Sequence, residues 1–243
     1  MKKLNTGTHL SAIRAAFPHT IPIMAGFLVL GASYGILMAG KGFSFLYPML
    51  MSILIFAGSM EFTMANILVG AFNPAEAFMM AIMINARHIF YGISMVEKYR
   101  GLGLKKIYMI FALCDETFSV NFSAEPPTGV DRGLFMFYTS LLDQLYWVIG
   151  ATVGGIFGSL LPTVPQGFDF AMTAMFVCIL LEQLLSGIKN LPSVIIGIAG
   201  SLISLLVFGA DGFIIPAMGI TLLALAAFKR PIDSLQNGGG GAK

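Results

Sequence analysis

Apolar residues come in long runs separated by short polar or glycine- and proline-rich punctuation. The runs cover 20–39, 46–71, 76–96, 105–123, 134–160, 168–187, 191–208 and 211–228. A helix that crosses a bilayer needs about 20 mostly apolar residues, so each run is a candidate membrane segment. The breaks fall at turn formers: Gly40-Lys41-Gly42, Asn73-Pro74, the basic stretch from Lys98 to Lys106, Glu125-Pro126-Pro127, Pro162 to Gly167, Asn190-Leu191-Pro192 and Gly209 to Gly212. Ahead of the first run, Leu10, Ile13 and Phe17 recur at helical spacing, which predicts an interfacial helix within 1–19 on the cytoplasmic side. The run from Thr20 to Met38 exceeds the apolar core of a signal peptide, so the N-terminus reads as uncleaved. The expected organisation is an N-terminal interfacial helix at 1–19, a single transmembrane transporter domain at 20–230, and a flexible tail at 231–243 that carries Gly238 to Gly241.

Composition sharpens the class. The chain is 57% hydrophobic and 11% charged, against about 25% charged residues in an ordinary soluble domain, and its mean hydropathy is +0.85. So few charges cannot coat a soluble protein of this size. The 28 glycines suit helices whose backbones approach closely in lipid. The net charge of +2 carries no basic face of the kind that binds nucleic acid. Cys114 and Cys178 both sit in apolar runs and read as packing thiols rather than a disulfide. No zinc-protease helix, paired-cysteine motif or phosphate-binding loop occurs. An enzyme, a metal site and a cofactor are therefore not expected, and any transport would draw on an ion gradient or on the solute's own gradient.

Two stretches resemble each other. Gly31-Ala-Ser-Tyr-Gly35 followed by Gly42-Phe-Ser-Phe45 matches Gly150-Ala-Thr-Val-Gly154 followed by Gly167-Phe-Asp-Phe170, and each precedes an apolar segment with a glutamate, Glu61 or Glu182. Eight plain crossings would place Lys98, Arg100, Lys105 and Lys106 outside, against the positive-inside tendency. Letting 46–71 and 168–187 return to their own side as re-entrant or broken elements restores the bias and makes the two copies inverted. The predicted fold is an all-α polytopic membrane helical bundle, an inverted repeat with re-entrant or broken helices, in the cytoplasmic (inner) membrane.

Ionisable side chains inside membrane segments are costly and mark function. Glu61, Arg87, His88, Asp115, Glu116, Asp143 and Glu182 all fall in apolar runs. In Phe56-Ala57-Gly58-Ser59-Met60-Glu61-Phe62 the Gly58-Ser59 pair is a candidate helix break whose backbone groups, with Glu61, would bind the ends of an amino acid; the alternative is a packing notch with Glu61 capping a neighbour. In Asn85-Ala86-Arg87-His88-Ile89-Phe90-Tyr91-Gly92, helical spacing puts Asn85, His88 and Gly92 on one face and Arg87, Tyr91 and Ser94 on the next. Arg87 would pair with a carboxylate, of substrate or of the protein. Asp115-Glu116 places two acids about 100° apart on a helix, suited to proton exchange or to a wetted helix end. Asp143-Gln144 with Trp147 reads as a headgroup-level position. Asn73-Pro74-Ala75 matches the tripeptide of water channels but occurs once.

These clusters resemble the AzlC family, the large subunit of branched-chain amino-acid exporters. The resemblance rests on Gly31 to Gly35 with Gly42 to Phe45, Phe56 to Phe62, Asn85 to Gly92, Asp115 to Phe118, and Phe168 to Phe176 with Glu182-Gln183, and it extends over residues 15–230. It implies export of leucine, isoleucine, valine and similar amino acids. It also implies a small membrane partner, an AzlD-type subunit. The expected substrate-binding residues are Gly58, Ser59, Glu61, Asn85, Arg87 and Tyr91, with His88, Asp115, Glu116 and Glu182 relaying a proton. A passive channel or facilitator, or a structural subunit of a two-component complex, would share the same clusters.

Overall fold

The computed structural model describes residues 6–70, 73–161, 191–209 and 213–228, together with isolated positions between 170 and 184. The described residues form helices α1 (Thr6–Gly40), α2 (Leu46–Leu54), α3 (Gly58–Ile67), α4 (Pro74–Asn85), α5 (Arg87–Met95), α6 (Lys105–Phe111), α7 (Asp115–Ser123), α8 (Arg132–Leu160), α9 (Leu191–Phe208) and α10 (Ile214–Ala227). Three of them have the length and apolarity to cross a membrane, Thr8–Gly40, Arg132–Leu160 and Leu191–Phe208. Their outer faces carry bare aliphatic side chains such as Val29, Leu145 and Leu206, which lipid can cover and water cannot. The chain is an all-α, multi-pass membrane protein.

Chain contacts divide the molecule into two compact units, Met1–Met172 and Thr173–Lys243. In the second unit α9 packs on α10, and Gly200 gives the Thr221 hydroxyl room that a Cβ would fill. The first unit is built on α1 and α8. From Thr6 onward, the segment read as a separate interfacial helix is the first part of α1, which runs on through Pro18 and Pro22 to Gly40.

The glycines of the two look-alike stretches explain how α1 and α8 meet. A Cβ on Gly35 would lie 2.2 Å from the Ala151 carbonyl oxygen, and one on Gly154 would lie 2.1 Å from that of Ala32. Gly31 and Gly150 also face the partner backbone, less tightly, at 2.9 Å. The four form paired small-xxx-small motifs that bring backbone against backbone, the usual device for helix association in lipid. Gly154→Ala must push backbone aside and is expected to lower stability by about 1–3 kcal/mol or more. Gly26→Ala, on the partner helix α1 with nothing within 4 Å, is the control and should be neutral or slightly stabilising. Thermal unfolding of the two detergent-solubilised variants checks this: equal midpoints would mean that the helices are not held this closely.

Two apolar runs are interrupted at mid-length. The run at 46–71 breaks between Leu54 and Gly58 rather than at Gly58-Ser59, and the turn is made by Phe56, whose φ of +48° is left-handed. A bulky residue adopts that conformation at a cost of order 1–3 kcal/mol. Here the Phe56 ring is buried and edge-on to Phe27 at 6.4 Å. The run at 105–123, read as continuous, breaks at Ala112 to Cys114, where Cys114 is extended and caps α7 in a reciprocal box with Thr117. The run at 76–96 has only a turn at Ala86. Asn73-Pro74 is a helix start: the Asn73 side chain accepts from the Ala75 N–H at 3.1 Å and Pro74 opens α4.

Candidate functional site

Helix α8 carries a polar stripe, Ser140, Asp143, Gln144 and Trp147, at helical i, i+3, i+4 and i+7 spacing, and all four are buried. Trp147 lies about 22 Å along a helix about 43 Å long at 1.5 Å per residue. The headgroup-level reading of Asp143, Gln144 and Trp147 is therefore incorrect. Trp147 stacks on Tyr34 and packs edge-on to Phe27 deep in the first unit. A polar stripe on an otherwise apolar helix is the sequence signal for this burial.

The stripe serves the two helix breaks. Gln144 donates to the Ile53 carbonyl at 3.0 Å, one of the groups freed at the end of α2, and accepts from the Tyr108 hydroxyl of α6 at 2.6 Å. Trp147 Nε1 donates to both Glu61 carboxylate oxygens at 3.2 Å, while Glu61 Oε1 also accepts from the Ala57 N–H at 3.0 Å. Ser52 Oγ lies 3.2 Å from Glu61 Oε2. Glu61 is wholly buried and caps the start of α3 from within. Gly58 is needed because a Cβ there would meet the Trp147 ring at 3.1 Å. On the other side, Asn121 of α7 donates to Ser140 at 3.3 Å and to Tyr99 at 3.2 Å.

Arg87, the first residue of α5, joins the two interrupted helices. Its guanidinium donates to Ser59 Oγ in the first turn of α3 at 3.2 Å and pairs with Asp115 Oδ2, the first residue of α7, at 2.8 Å. Arg87 and Asp115 keep 32% and 25% of their side-chain surface exposed, so the pair is reachable. Helix N-termini carry partial positive charge, and two of them flank this guanidinium. Together they make a place where an anion is welcome and where one carboxylate, Asp115, already sits. Tyr91 stacks on Phe118 of α7 at 4.6 Å, beside Asp115.

A cleft of about 510 Å³ opens next to this pair. Asn85, His88, Tyr99 and Lys106 give it a polar edge, and Phe56, Met95, Ile110 and Phe111 are among its apolar walls. His88 Nδ1 is tied to the Asn85 carbonyl at 3.1 Å, one turn back in its own chain. Arg87 and Asp115 do not line the cleft themselves; their neighbours Asn85, His88 and Leu113 do.

Of the residues expected from sequence, Ser59, Arg87, Tyr91 and Asp115 are together, and Asn85 and His88 adjoin them on the cleft. Gly58 and Glu61 lie at the α3 start against Trp147. Glu116 follows Asp115 on α7 but turns toward Cys114 and Asp143. Glu182, with the whole second glutamate segment, lies outside the described residues. Among the described residues no group of three or more His, Cys, Asp or Glu side chains is placed to hold a metal ion.

Broken helices cross-braced by a buried polar stripe, with an accessible ion pair at their joined ends, suit a helical membrane transporter. The AzlC protein family model matches residues 22–161, and the chain belongs to that family. The branched-chain amino acid transport protein AzlC of Bacillus subtilis (strain 168) is 53% identical over 226 residues, covering 93% of this chain and 89% of the relative. A membrane protein of Haemophilus influenzae is 46% identical over 214 residues, covering 87% of each chain. Inner membrane protein YgaZ of Escherichia coli K12 is 25% identical over 172 residues, covering 68% of this chain and 70% of that one. No solved structure matches.

Proposed function

We propose that this chain exports branched-chain amino acids across the cytoplasmic membrane by proton-coupled alternating access, together with a small AzlD-type subunit. The observation that carries the reading is the Arg87–Asp115 pair, 2.8 Å long and partly exposed, at two half-helix N-termini beside an apolar cleft. A zwitterion inserts into such a pair without leaving a charge unpaired: its carboxylate takes Arg87 and the α3 start at Gly58 and Ser59, and its ammonium takes Asp115. Asn85 and Tyr91 flank the ends, and the aliphatic side chain goes to Phe56, Met95, Ile110 and Phe111. A ligand pocket typically spans about 300–1,000 Å³, and the cleft is of that size. The name of the Bacillus subtilis relative, a branched-chain amino acid transport protein, supports the same substrate class.

In this reading His88, Asp115, Glu116 and Glu182 carry the coupling proton, and 46–71 and 168–187 are paired re-entrant elements of an inverted repeat. The test is export of a radiolabelled leucine analogue from bacterial cells expressing the chain with and without a co-expressed AzlD-type subunit. Faster efflux only with the chain present supports export; equal efflux overturns it. In vesicles loaded with a pH dye, proton movement accompanying leucine is expected, whereas leucine flux without it would make the protein a passive facilitator.

A further inference from the structure

Asp143 is wholly buried, and neither of its carboxyl oxygens has a hydrogen-bond partner among the described residues. It lies about 16 Å from one end of α8 and about 25 Å from the other at 1.5 Å per residue, so it is remote from both membrane surfaces. Its neighbours on the polar stripe are already engaged, Ser140 by Asn121 and Gln144 by Tyr108 and Ile53. An ionised carboxylate sealed away from water without a donor or cation is very costly, and such a group neutralises instead.

The titratable groups that face it come from α6, α7 and the turn between them: Tyr108, Cys114 and Glu116. None of the three carries a positive charge. On α1, which packs along α8, His9 bonds the Tyr138 hydroxyl, His19 is edge-on to Phe135 and Tyr34 bonds the Met51 sulfur. Arg14 is solvent- or lipid-exposed, and α2 offers only Tyr47, exposed likewise. A cation ligated at Asp143 would need several oxygens around it, and none of its own is matched by a cluster of metal-binding side chains among the described residues.

We propose that Asp143 binds the coupling proton and exchanges it with Glu116, the residue adjoining Asp115 of the Arg87 pair. The transfer moves one proton from the Asp143 carboxyl to the Glu116 carboxylate and leaves the pair's total charge unchanged. It links the interior of α8 to the substrate ion pair, because Asp115 and Glu116 are consecutive in the first turn of α7. This rests on the exporter reading for its transport consequence, while the protonation itself does not.

Two measurements on the full-length protein in nanodiscs and proteoliposomes test the proposal separately. Infrared spectra of the wild type at neutral pH should contain the carbonyl stretch of a protonated carboxylic acid that is missing from Asp143→Asn and displaced in Asp143→Glu. In proteoliposomes, leucine accumulation driven by an imposed pH gradient should be lost in Asp143→Asn in greater proportion than leucine–leucine exchange. Identical carboxyl absorption in wild type and Asp143→Asn overturns the proposal, as does an undiminished gradient response in that variant. Should Asp143→Asn fail to fold, Asp143→Glu carries the infrared test, and an unmoved band overturns the proposal equally. A wild type that shows the band but moves no leucine would remove the exporter reading and leave the proton site standing.

Discussion

Arg87→Ala is expected to abolish leucine transport while the protein still inserts, and Arg87→Lys is expected not to restore it. The guanidinium holds Ser59 Oγ and the Asp115 carboxylate at once, and a lysine ammonium lacks the planar fork that reaches two helix starts together. Truncating one member of a desolvated charge pair costs about 2–5 kcal/mol. The pair here is about one-third exposed, so the lower end applies, and about 2–3 kcal/mol converts to a loss of roughly 30- to 150-fold at 1.4 kcal/mol per decade. In the exporter reading, loss of the guanidinium that takes the substrate carboxylate adds to that. The double variant Arg87→Ala/Asp115→Ala separates the two roles. If the pair only ties α5 to α7, removing both charges together should recover stability and transport alike. If it receives the zwitterion, unfolding midpoints recover and leucine flux in proteoliposomes stays at background. Flux restored in the double variant would take Arg87 out of the substrate path.

The membrane class, the helix positions and the Arg87 cluster were legible because each rests on a local signal: run length, punctuation, and charge where oil is expected. Asn85 to Gly92 is a compact polar motif in an apolar run, and the structure does place Arg87 at a junction. What was not legible depends on contacts between distant segments. Gly58-Ser59 announced a break, but not that the turn falls two residues earlier at Phe56, a left-handed phenylalanine held by burial against Phe27 and not by its own propensity. The break at Ala112 to Cys114 is equally silent: its cap uses cysteine and threonine rather than the usual serine or aspartate. The likeness of Gly31–Gly35 to Gly150–Gly154 could be seen in one dimension, but only three show that these stretches lie against each other. Trp147 illustrates a rule applied at the wrong level. Tryptophan favours membrane interfaces as a population, yet this one has a buried carboxylate to bond, and that partner is 86 residues away in sequence.

Glu61 gives the second large effect, on stability. Replacing it with alanine removes the acceptor for two donors, the buried Trp147 indole N–H and the half-buried Ala57 backbone N–H. Each stranded donor costs about 1–3 kcal/mol, and a cavity is left beside Trp147 and Phe62, so Glu61→Ala is expected to lose about 3–5 kcal/mol in all. That is a large share of the 5–15 kcal/mol that holds a typical fold, and the variant should accumulate poorly. Glu61→Gln keeps one acceptor oxygen but turns an amide NH2 toward a donor, which predicts an intermediate loss. Thermal unfolding in detergent orders the three proteins as wild type, Gln, Ala. The same series asks what Glu61 is for. A residue that grips substrate should show weakened leucine binding in Glu61→Gln even at temperatures where the protein is fully folded. A residue that caps α3 should show unchanged leucine affinity there, with the loss appearing only as a lower midpoint. The geometry favours the second outcome, because Glu61 is 0% exposed and its oxygens are occupied from inside the protein. Unchanged midpoints with weakened leucine binding would instead require the α2–α3 break to be held by Gln144 alone and Glu61 to turn toward the cleft during transport.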